Sequence, residues 1–283
     1  MPTKSMSPPK STPSSRSSGT SLRQKAAITV DSAADARYRA PALDKGLDIL
    51  ELLCAQPQPV TRGEIDKALG WGSSEGYRML ERLVARRYVV RSPEGDRYSP
   101  SLRLLLLAQQ HPPLSRLLQE AHPRMQAFAA RAEQSCHLGL YENGNIKLVA
   151  ETVSPGRLSL SIRTGSEVSL VDTGSGHVVL AFQSPERRAA MLAEHHPLEG
   201  ETTIDAVEFD NRLERVRSNG YWQDNSQHVR GIIDIAVPLL GPDGQAFAAL
   251  TCPYITRIDH HVGINVEQTR ELLVEAANGL SMA

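Results

Sequence analysis

The arginines with the clearest chemical potential in this sequence are Arg78 and Arg82, which follow Ser74 at steps of four residues. In an α-helix this spacing puts all three side chains on one face. A guanidinium can bind a guanine edge through two parallel hydrogen bonds, and a serine hydroxyl near a helix N-terminus can bind a phosphate. The stripe therefore predicts a helix able to contact the major groove of double-stranded DNA.

The residues around these arginines predict which face of the helix is buried. The apolar spacing places Tyr77, Leu80, Leu83 and Val84 inward and the polar residues outward, although Tyr77 is also kept among the candidate contacts. Glu75 would be repelled by phosphates but could accept a hydrogen bond from a cytosine amino group. A solvated surface charge remains the alternative for any single arginine. With two arginines of the next hairpin that could reach the minor groove, the candidate DNA contacts are Ser73, Ser74, Glu75, Tyr77, Arg78, Arg82, Arg91 and Arg97.

Catalytic and metal chemistry find little support in the sequence. Gly174-Ser175-Gly176-His177 sets a serine beside a histidine, but it lacks the GxSxG elbow, and side chains adjacent on a helix start do not face each other. The pairs His195-His196 and His260-His261 come without HxxxH or CxxC spacing, so surface histidines are expected. His137 is expected in the core or at a pocket edge. We predict neither an enzyme nor a metal or cofactor site.

The elements that must position the arginine helix have distinct sequence signals. Leu43, Leu47, Leu50 and Cys54 have helical spacing, and this first helix must end before Pro57. Thr61 and Glu64 form a capping-box pair at the start of a short second helix, and Gly70 can close it in a left-handed conformation. The arginine helix then starts near Ser73. Two helices joined by so short a turn are typical of a helix-turn-helix.

A wing and a connector follow in the sequence. Beyond Arg87 the apolar period changes to two around a turn at 93–96, which predicts a β-hairpin. Residues 102–110 form a strongly apolar helix, and a longer amphipathic helix runs from Leu114 to about Ser135 with a kink at Pro123. The excess of leucine suggests a dimer contact in this connector.

The second half alternates strands and helices. Two hairpins are predicted, at 136–151 around Asn143-Gly144 and at 232–252 around residues 241–244. They imply an antiparallel sheet, covered by helices at 176–182, 185–195, 208–219 and 265–278, the last opened by an Asn265/Gln268 cap. The fold class is therefore α+β, with a winged helix-turn-helix at 39–101, a linker or dimerisation helix at 102–120 and an antiparallel-sheet domain at 121–283.

The charge is divided along the chain. Residues 1–103 carry 17 Lys and Arg against 11 Asp and Glu, a net of +6, whereas residues 104–283 carry 14 against 21, a net of −7. A basic half suits a polyanion and an acidic half does not. Residues 1–38 form a basic Ser/Pro-rich tail that is expected to be disordered. Three scattered cysteines and the lack of an apolar span predict a cytoplasmic protein without a membrane segment.

Particular segments, in this order and spacing, resemble the IclR family of bacterial regulators over roughly residues 41–281. They are residues 42–53 (ALDKGLDILELL), 77–84 (YRMLERLV), 96–98 (DRY), 179–182 (VLAF), 219–221 (NGY) and the hairpin from Ala236 to Gly244. The resemblance implies a winged helix-turn-helix, a linker helix that dimerises the DNA domains and a GAF-like effector domain. It also implies assembly into a homodimer or a dimer of dimers.

The same resemblance implies an effector pocket on one face of the sheet, walled by the loop before a helix and by late strands. Asp234 stands where many members have cysteine, and Pro253 where a serine is common. A second buried carboxylate beside Asp224 should disfavour a simple anionic acid. We therefore expect a ligand with hydrogen-bond donors or positive charge, or an acid paired to Arg163, unless Asp234 points away. By position, the candidate effector contacts are Arg163, Thr173, Ser175, Gly176, His177, Asp224, Asp234, Thr251 and Pro253.

These expectations describe a ligand-responsive transcription regulator. Its partners would be a double-stranded DNA operator and a small-molecule effector. Repression of catabolic genes for a small metabolite is favoured over activation. The alternative is a ligand-independent DNA-binding dimer whose effector pocket has degenerated, and a ligand-dependent change in DNA affinity would separate the two.

Overall fold

The computed structural model describes residues 40–72, 76–110, 112–259, 263–278 and 280. The predictions for residues 1–38, for Ser73, Ser74 and Glu75, and for the pair His260-His261 lie outside the described residues. The chain divides into two compact units between Ala108 and Gln109. This division falls within the stretch predicted as a linker.

The N-terminal unit is a small helical domain with a three-stranded sheet. Its core joins Ile49, Leu53, Ile65, Leu80 and Tyr98, all fully or almost fully buried. The strands are antiparallel in the order β1-β3-β2, which is the predicted wing with one added short strand. The elements are α1 (Pro41–Cys54), β1 (Val60–Thr61), α2 (Arg62–Leu69), α3 (Tyr77–Ala85), β2 (Val89–Arg91), β3 (Arg97–Pro100) and α4 (Arg103–Gln109).

The end signals predicted for α2 are present. Glu64 N–H donates to the Thr61 hydroxyl at 3.3 Å, and Thr61 N–H donates to the Glu64 carboxylate at 2.7 Å, so the capping box is reciprocal. Gly70 closes the helix with φ 69°, a conformation that only glycine adopts without strain.

The buried face of α1 includes few of the residues whose spacing predicts the helix. The structure buries Ile49, Leu52 and Leu53, and Leu50 packs against the same core. Leu43 and Leu47 remain exposed. A helix with this many apolar residues has more than one possible inward face, and the small core covers only one.

The C-terminal unit is an antiparallel sheet between two helical layers, which confirms the predicted α+β class. Its six strands lie in the order β6-β5-β4-β9-β8-β7. The two predicted hairpins are its centre, and β7 at one edge was not predicted because it is short and polar. The elements are α5 (Pro112–Ala132), β4 (Cys136–Glu142), β5 (Asn145–Thr152), β6 (Glu167–Val168), α6 (Gly174–Ala181), α7 (Pro185–Glu194), α8 (Ala206–Asn219), β7 (Trp222–Asn225), β8 (Ile232–Leu240), β9 (Ala246–Ile255) and α9 (Val266–Asn278).

Each face of this sheet has its own core. One core packs α5 and α9 against the sheet, with Met125 and Leu273 fully buried. Cys136 and Cys252 are buried in it, whereas Cys54 at the end of α1 is exposed. The other core joins α6, α7 and α8 to the opposite face around Leu180. Helix α6 is buried along its whole length, and all of its residues lie in the interior of the unit.

Candidate functional site

The arginine stripe of α3 is open to solvent. Arg78 and Arg82 are exposed, and neither side chain has a hydrogen-bond or ion-pair partner among the residues that the structure describes. Arg86, the C-cap of the same helix, is also exposed and lies a further four residues along. Arg86 was not among the sequence candidates, although the same i+4 spacing could have identified it. The three guanidiniums form a positive stripe, which we call the α3 arginines.

Tyr77 corrects the predicted inward face of α3. Its side chain is 45% exposed, and the Arg62 guanidinium lies 5.5 Å from the centre of its ring. Leu80 is the fully buried residue of this helix, with Leu83 and Val84 half-buried. Tyr77 is the first residue of α3 and does not belong to the core of the N-terminal unit. It therefore lies on the solvent side, with the DNA candidates.

The wing arginines both have internal partners. Arg91 Nε donates to the Gly95 carbonyl at 2.6 Å, and its Nη1 lies 3.8 Å from the Glu81 carboxylate on α3. Arg97 Nη1 donates to the Pro59 carbonyl at 3.0 Å. These contacts shape the hairpin and hold it to the rest of the unit. Both residues are exposed.

A cavity of about 440 Å³ opens in the C-terminal unit. Its buried polar base is made by His137 on β4, Ser175 at the start of α6 and Thr251 on β9. The Ser175 and Thr251 hydroxyls lie 2.9 Å apart and share a hydrogen bond. Burial lowers the pKa of His137 to about 4, so this ring is neutral at pH 7. The sequence predicted His137 in the core or at a pocket edge, and the structure has it buried and lining the pocket.

Five of the nine predicted effector contacts line this cavity. They are Thr173, Ser175, Asp234, Thr251 and Pro253. Thr173 is also the N-cap of α6, since its hydroxyl accepts the Gly176 N–H at 3.2 Å. Asp234 lines the cavity, so the alternative in which its side chain points away is wrong.

The other four predicted contacts lie outside the lining, for different physical reasons. A Cβ on Gly176 would lie 2.0 Å from the Leu170 carbonyl oxygen, so this glycine permits close packing. His177 stacks on Trp222 in the core, with ring centres 4.3 Å apart. Asp224 accepts a hydrogen bond from the Asn225 N–H at 2.7 Å on the edge strand β7, and Arg163 is exposed on a loop.

The residues that sequence reasoning missed are mainly acidic and apolar. The carboxylates of Glu167, Glu199 and Glu201 line the cavity together with Asp234. None of them belongs to a motif. Glu167 lies on the short strand β6, Glu199 and Glu201 lie in the segment after α7, and only the fold brings them to the cavity. The apolar part of the wall is Leu160, Ile162, Val168, Leu198, Val229 and Ile232.

A polar network holds one wall of the cavity, and we call it the clasp (Gly144, Asn145, His195, His196 and Glu201). Asn145 Nδ2 donates to the His196 carbonyl at 3.0 Å, and Asn145 Oδ1 accepts the Leu170 N–H at 3.2 Å. His195 bridges Asn145 and Glu201, at 3.0 Å from each. His195 is half-buried, which corrects the expected surface pair. The clasp attaches the segment after α7 to the β4–β5 turn.

Comparison with known proteins places both units in one family. A family model described as the IclR helix-turn-helix domain matches residues 42–93. Another, described as bacterial transcriptional regulator IclR C-terminal, matches residues 114–282. The chain belongs to the IclR family of bacterial transcriptional regulators. Its winged helix-turn-helix and its antiparallel-sheet domain are the two parts of that family's fold.

Individual relatives within the IclR family are distant. HTH-type transcriptional regulator KdgR of Dickeya chrysanthemi is 26% identical over 197 residues, which are 68% of this chain and 64% of that protein. KdgR of Escherichia coli is 26% identical over 195 residues, 68% of this chain and 74% of that protein. The chain therefore matches a little under two thirds of the Dickeya protein. These relatives are regulators rather than enzymes.

Solved IclR structures share the fold. The Thermotoga maritima IclR has a TM-score of 0.68 and 23% identity, over 84% of this chain and 96% of that one. An IclR homologue from Microbacterium hydrocarbonoxydans, solved in complex with 4-hydroxybenzoate, has a TM-score of 0.69 and 24% identity, over 85% and 97%. No helix among the described residues is long and apolar enough to cross a membrane.

Proposed function

We propose that this IclR-family chain regulates transcription by binding an operator through α3 and the wing. The observation that carries the proposal is the stripe of α3 arginines, exposed and without side-chain partners among the described residues. Ion-paired arginines would lose those pairs on binding DNA, whereas these three have no such pair with a described residue to lose. Arg78 is the candidate for a guanine edge, and Arg82 and Arg86 for the phosphate backbone.

A dimer is the form in which we expect the chain to act. Leu102, Leu105 and Leu106 on and before α4 are more than half exposed, as is Leu43 on α1. So many exposed leucines in one small unit are unfavourable for an isolated monomer and favour a second copy as partner. A two-fold dimer presents two α3 helices, so the operator should contain two related half-sites. A dimer of dimers would repeat this arrangement.

The cavity supports the second part of the proposal, a response to a small molecule. Its volume and its mixed apolar and polar wall suit a metabolite-sized ligand. Such a ligand changes operator affinity only by the difference between its affinities for the DNA-competent and the DNA-incompetent arrangements. We propose repression of catabolic genes for the ligand, which would then release the operator. The proposed site of action is the cytoplasm.

Operator binding can be tested by fluorescence anisotropy with the intergenic DNA beside the gene. The double variant Arg78→Ala/Arg82→Ala should weaken binding at least tenfold, since each base or phosphate contact contributes about 1–3 kcal/mol. It should also flatten the salt dependence. The matched control is Arg124→Ala/Arg217→Ala, which removes the same charge from exposed positions of the C-terminal unit.

The outcomes separate the possible roles. Binding that survives competitor DNA, and that only the α3 variant abolishes, supports the regulator. Equal loss in both variants would show that net charge, rather than α3, drives the contact. Operator affinity that no ligand of the cavity alters would favour the ligand-independent dimer.

A further inference from the structure

The cavity wall has negative charge without a matching basic side chain. Four of its lining residues are acidic, and no lysine or arginine is among the lining residues that the structure describes. Glu167 is balanced by Lys147 at 2.6 Å, and Glu201 is held by His195 at 3.0 Å. Asp234 and Glu199 have no such ion pair with a described residue. His228 also lines the cavity near Asp234, but the lining residues include no permanently charged cation to match the two carboxylates.

Asp234 is the more enclosed of the two. It lies on β8, opposite Asp224 on one side and Pro253 on the other. Burial raises the pKa of Asp234, while a hydrogen bond from Ser226 and the nearby His228 lower it. His137 and Thr251 line the same cavity, and Cys252 follows on β9. An anionic ligand here would face like charge in a partly desolvated site, which is strongly unfavourable.

The base of the cavity has unused hydrogen-bonding capacity. The His137 side chain is buried to more than nine tenths, lines the cavity and makes no hydrogen bond to a described residue. Because the ring is neutral, one nitrogen donates and the other accepts. The Ser175–Thr251 hydroxyl pair beside it can also donate and accept. This base can hold a hydroxyl or carbonyl group of a ligand but supplies no positive charge.

We infer that the cavity binds a small organic cation, with a protonated amine against Asp234 and Glu199. Its polar end meets His137, Ser175 and Thr251, and its apolar body lies along Leu160, Ile162 and Val229. This inference rests on the proposed function, because it takes the cavity as the effector site. It narrows the ligand to an amine and excludes a simple monocarboxylate.

The test uses probes that share an aromatic body and carry a cationic, neutral or anionic group. Thermal shift and isothermal calorimetry on the full chain without DNA compare benzylamine, benzyl alcohol and benzoate, and then tyramine against 4-hydroxyphenylacetate. Each amine should bind at least tenfold more tightly than its matched acid. Asp234→Asn should weaken amine binding at least tenfold, and Glu186→Gln, an exposed carboxylate on α7, should not change it.

The pH dependence gives a second readout. Amine binding needs the Asp234 carboxylate, so it should weaken as pH falls and that group takes up a proton. A carboxylic acid ligand should show the opposite trend and bind more tightly as pH falls. If Asp234→Asn folds poorly, Glu199→Gln supplies the same comparison with a smaller expected loss.

Three results would overturn the inference: preference for an acid over its matched amine, failure of both amines to bind, or full amine affinity in a folded Asp234→Asn. Failure of the unmodified chain to bind operator DNA would instead contradict the proposed function. The two failures are therefore measured separately.

Discussion

At the scale of single residues, two buried histidines make the stability of the C-terminal unit depend on pH. Burial lowers the pKa of His137 and His177 to about 4, from an ordinary value of 6.5. His177 has neither ring nitrogen hydrogen-bonded within the described residues, so protonation would leave its charge unpaired against Trp222. Both rings therefore stay neutral in the folded state.

The sign of the effect follows from proton uptake. Between about pH 6.5 and 4 the unfolded chain binds more protons than the folded chain, so stability is complete above this window and falls as pH drops through it. Each histidine contributes at most about 1.4 kcal/mol per pH unit. Urea unfolding at pH 7 and pH 5 should show the loss, and His177→Phe should reduce the difference between the two. An unchanged difference would mean that His177 is protonated in the folded state.

A second prediction at this scale concerns Gly176. An alanine Cβ there would overlap the Leu170 carbonyl oxygen at 2.0 Å, so the backbone of α6 or of its preceding loop must move. We expect Gly176→Ala to lower the free energy of unfolding by about 3 kcal/mol or more.

The matched control is Gly46→Ala in α1, where a new Cβ meets nothing within 4 Å. This change should stabilise its helix by about 0.5–1 kcal/mol. Chemical denaturation followed by circular dichroism measures both variants. Equal effects would contradict the packing role of Gly176.

At the scale of elements, the clasp joins two segments that are distant in sequence. Asn145 is fully buried, and its side chain is the shared partner of the Leu170 N–H and the His196 carbonyl. Gly144 allows the approach, because a Cβ there would lie 2.1 Å from the Glu194 carbonyl oxygen. The β4–β5 turn therefore helps to hold the segment that carries Glu199 and Glu201, together with the Thr202 N–H that donates to Asp172 at 2.7 Å.

We predict that Asn145→Ala loosens this segment. It leaves the buried Leu170 N–H without its partner, at a cost of about 1–3 kcal/mol, and removes the hydrogen bond to the His196 carbonyl. Limited proteolysis should then show new cleavage between residues 194 and 205. Asn211→Ala, at an exposed position of α8, should leave the digestion pattern unchanged. Cleavage in both variants would show that the segment is open to protease even when the clasp is intact.

Elements with a local signal could be predicted from the sequence. The capping box at Thr61, the Gly70 stop and the reciprocal Asn265/Gln268 cap depend on residues a few positions apart. The two hairpins likewise follow from turn residues. The edge strand β7 could not be predicted, because its pairing with β8 decides its structure.

The candidate sites were predicted less completely than the elements. The α3 arginines share one helix, so spacing alone brings Arg78 and Arg82 together. The cavity combines four strands, one helix start and several loops, so its acidic side chains meet only in the folded chain. The resemblance located its polar base but also assigned His177, which stacks in the core.

At the scale of the whole molecule, the exposed leucines predict how the chain assembles. Burying a leucine contributes about 1.5–3 kcal/mol, so a dimer formed through α4 should lose much of its stability when charge replaces them. Leu105→Glu/Leu106→Glu should raise the dimer dissociation constant at least a hundredfold in analytical ultracentrifugation. Operator affinity should fall with it.

The matched control for assembly is Leu158→Glu, which changes a leucine of similar exposure on a loop of the C-terminal unit. Its dissociation constant should remain that of the unmodified chain. A dimer that survives the α4 double change would place the interface elsewhere.

The three cysteines of the chain give the folded protein a single addressable thiol. Cys54 is exposed, although partial burial and the Glu51 carboxylate raise the pKa of its thiol; burial raises the pKa of Cys136 to about 12 and that of Cys252 well above its ordinary value. Because the thiolate is the reactive form, a maleimide dye should attach to Cys54 alone under native conditions. The other two thiols become countable only when the C-terminal unit opens. The number of dye molecules bound per chain would thus report unfolding of the C-terminal unit. The dye on Cys54 in α1 would report on the N-terminal unit.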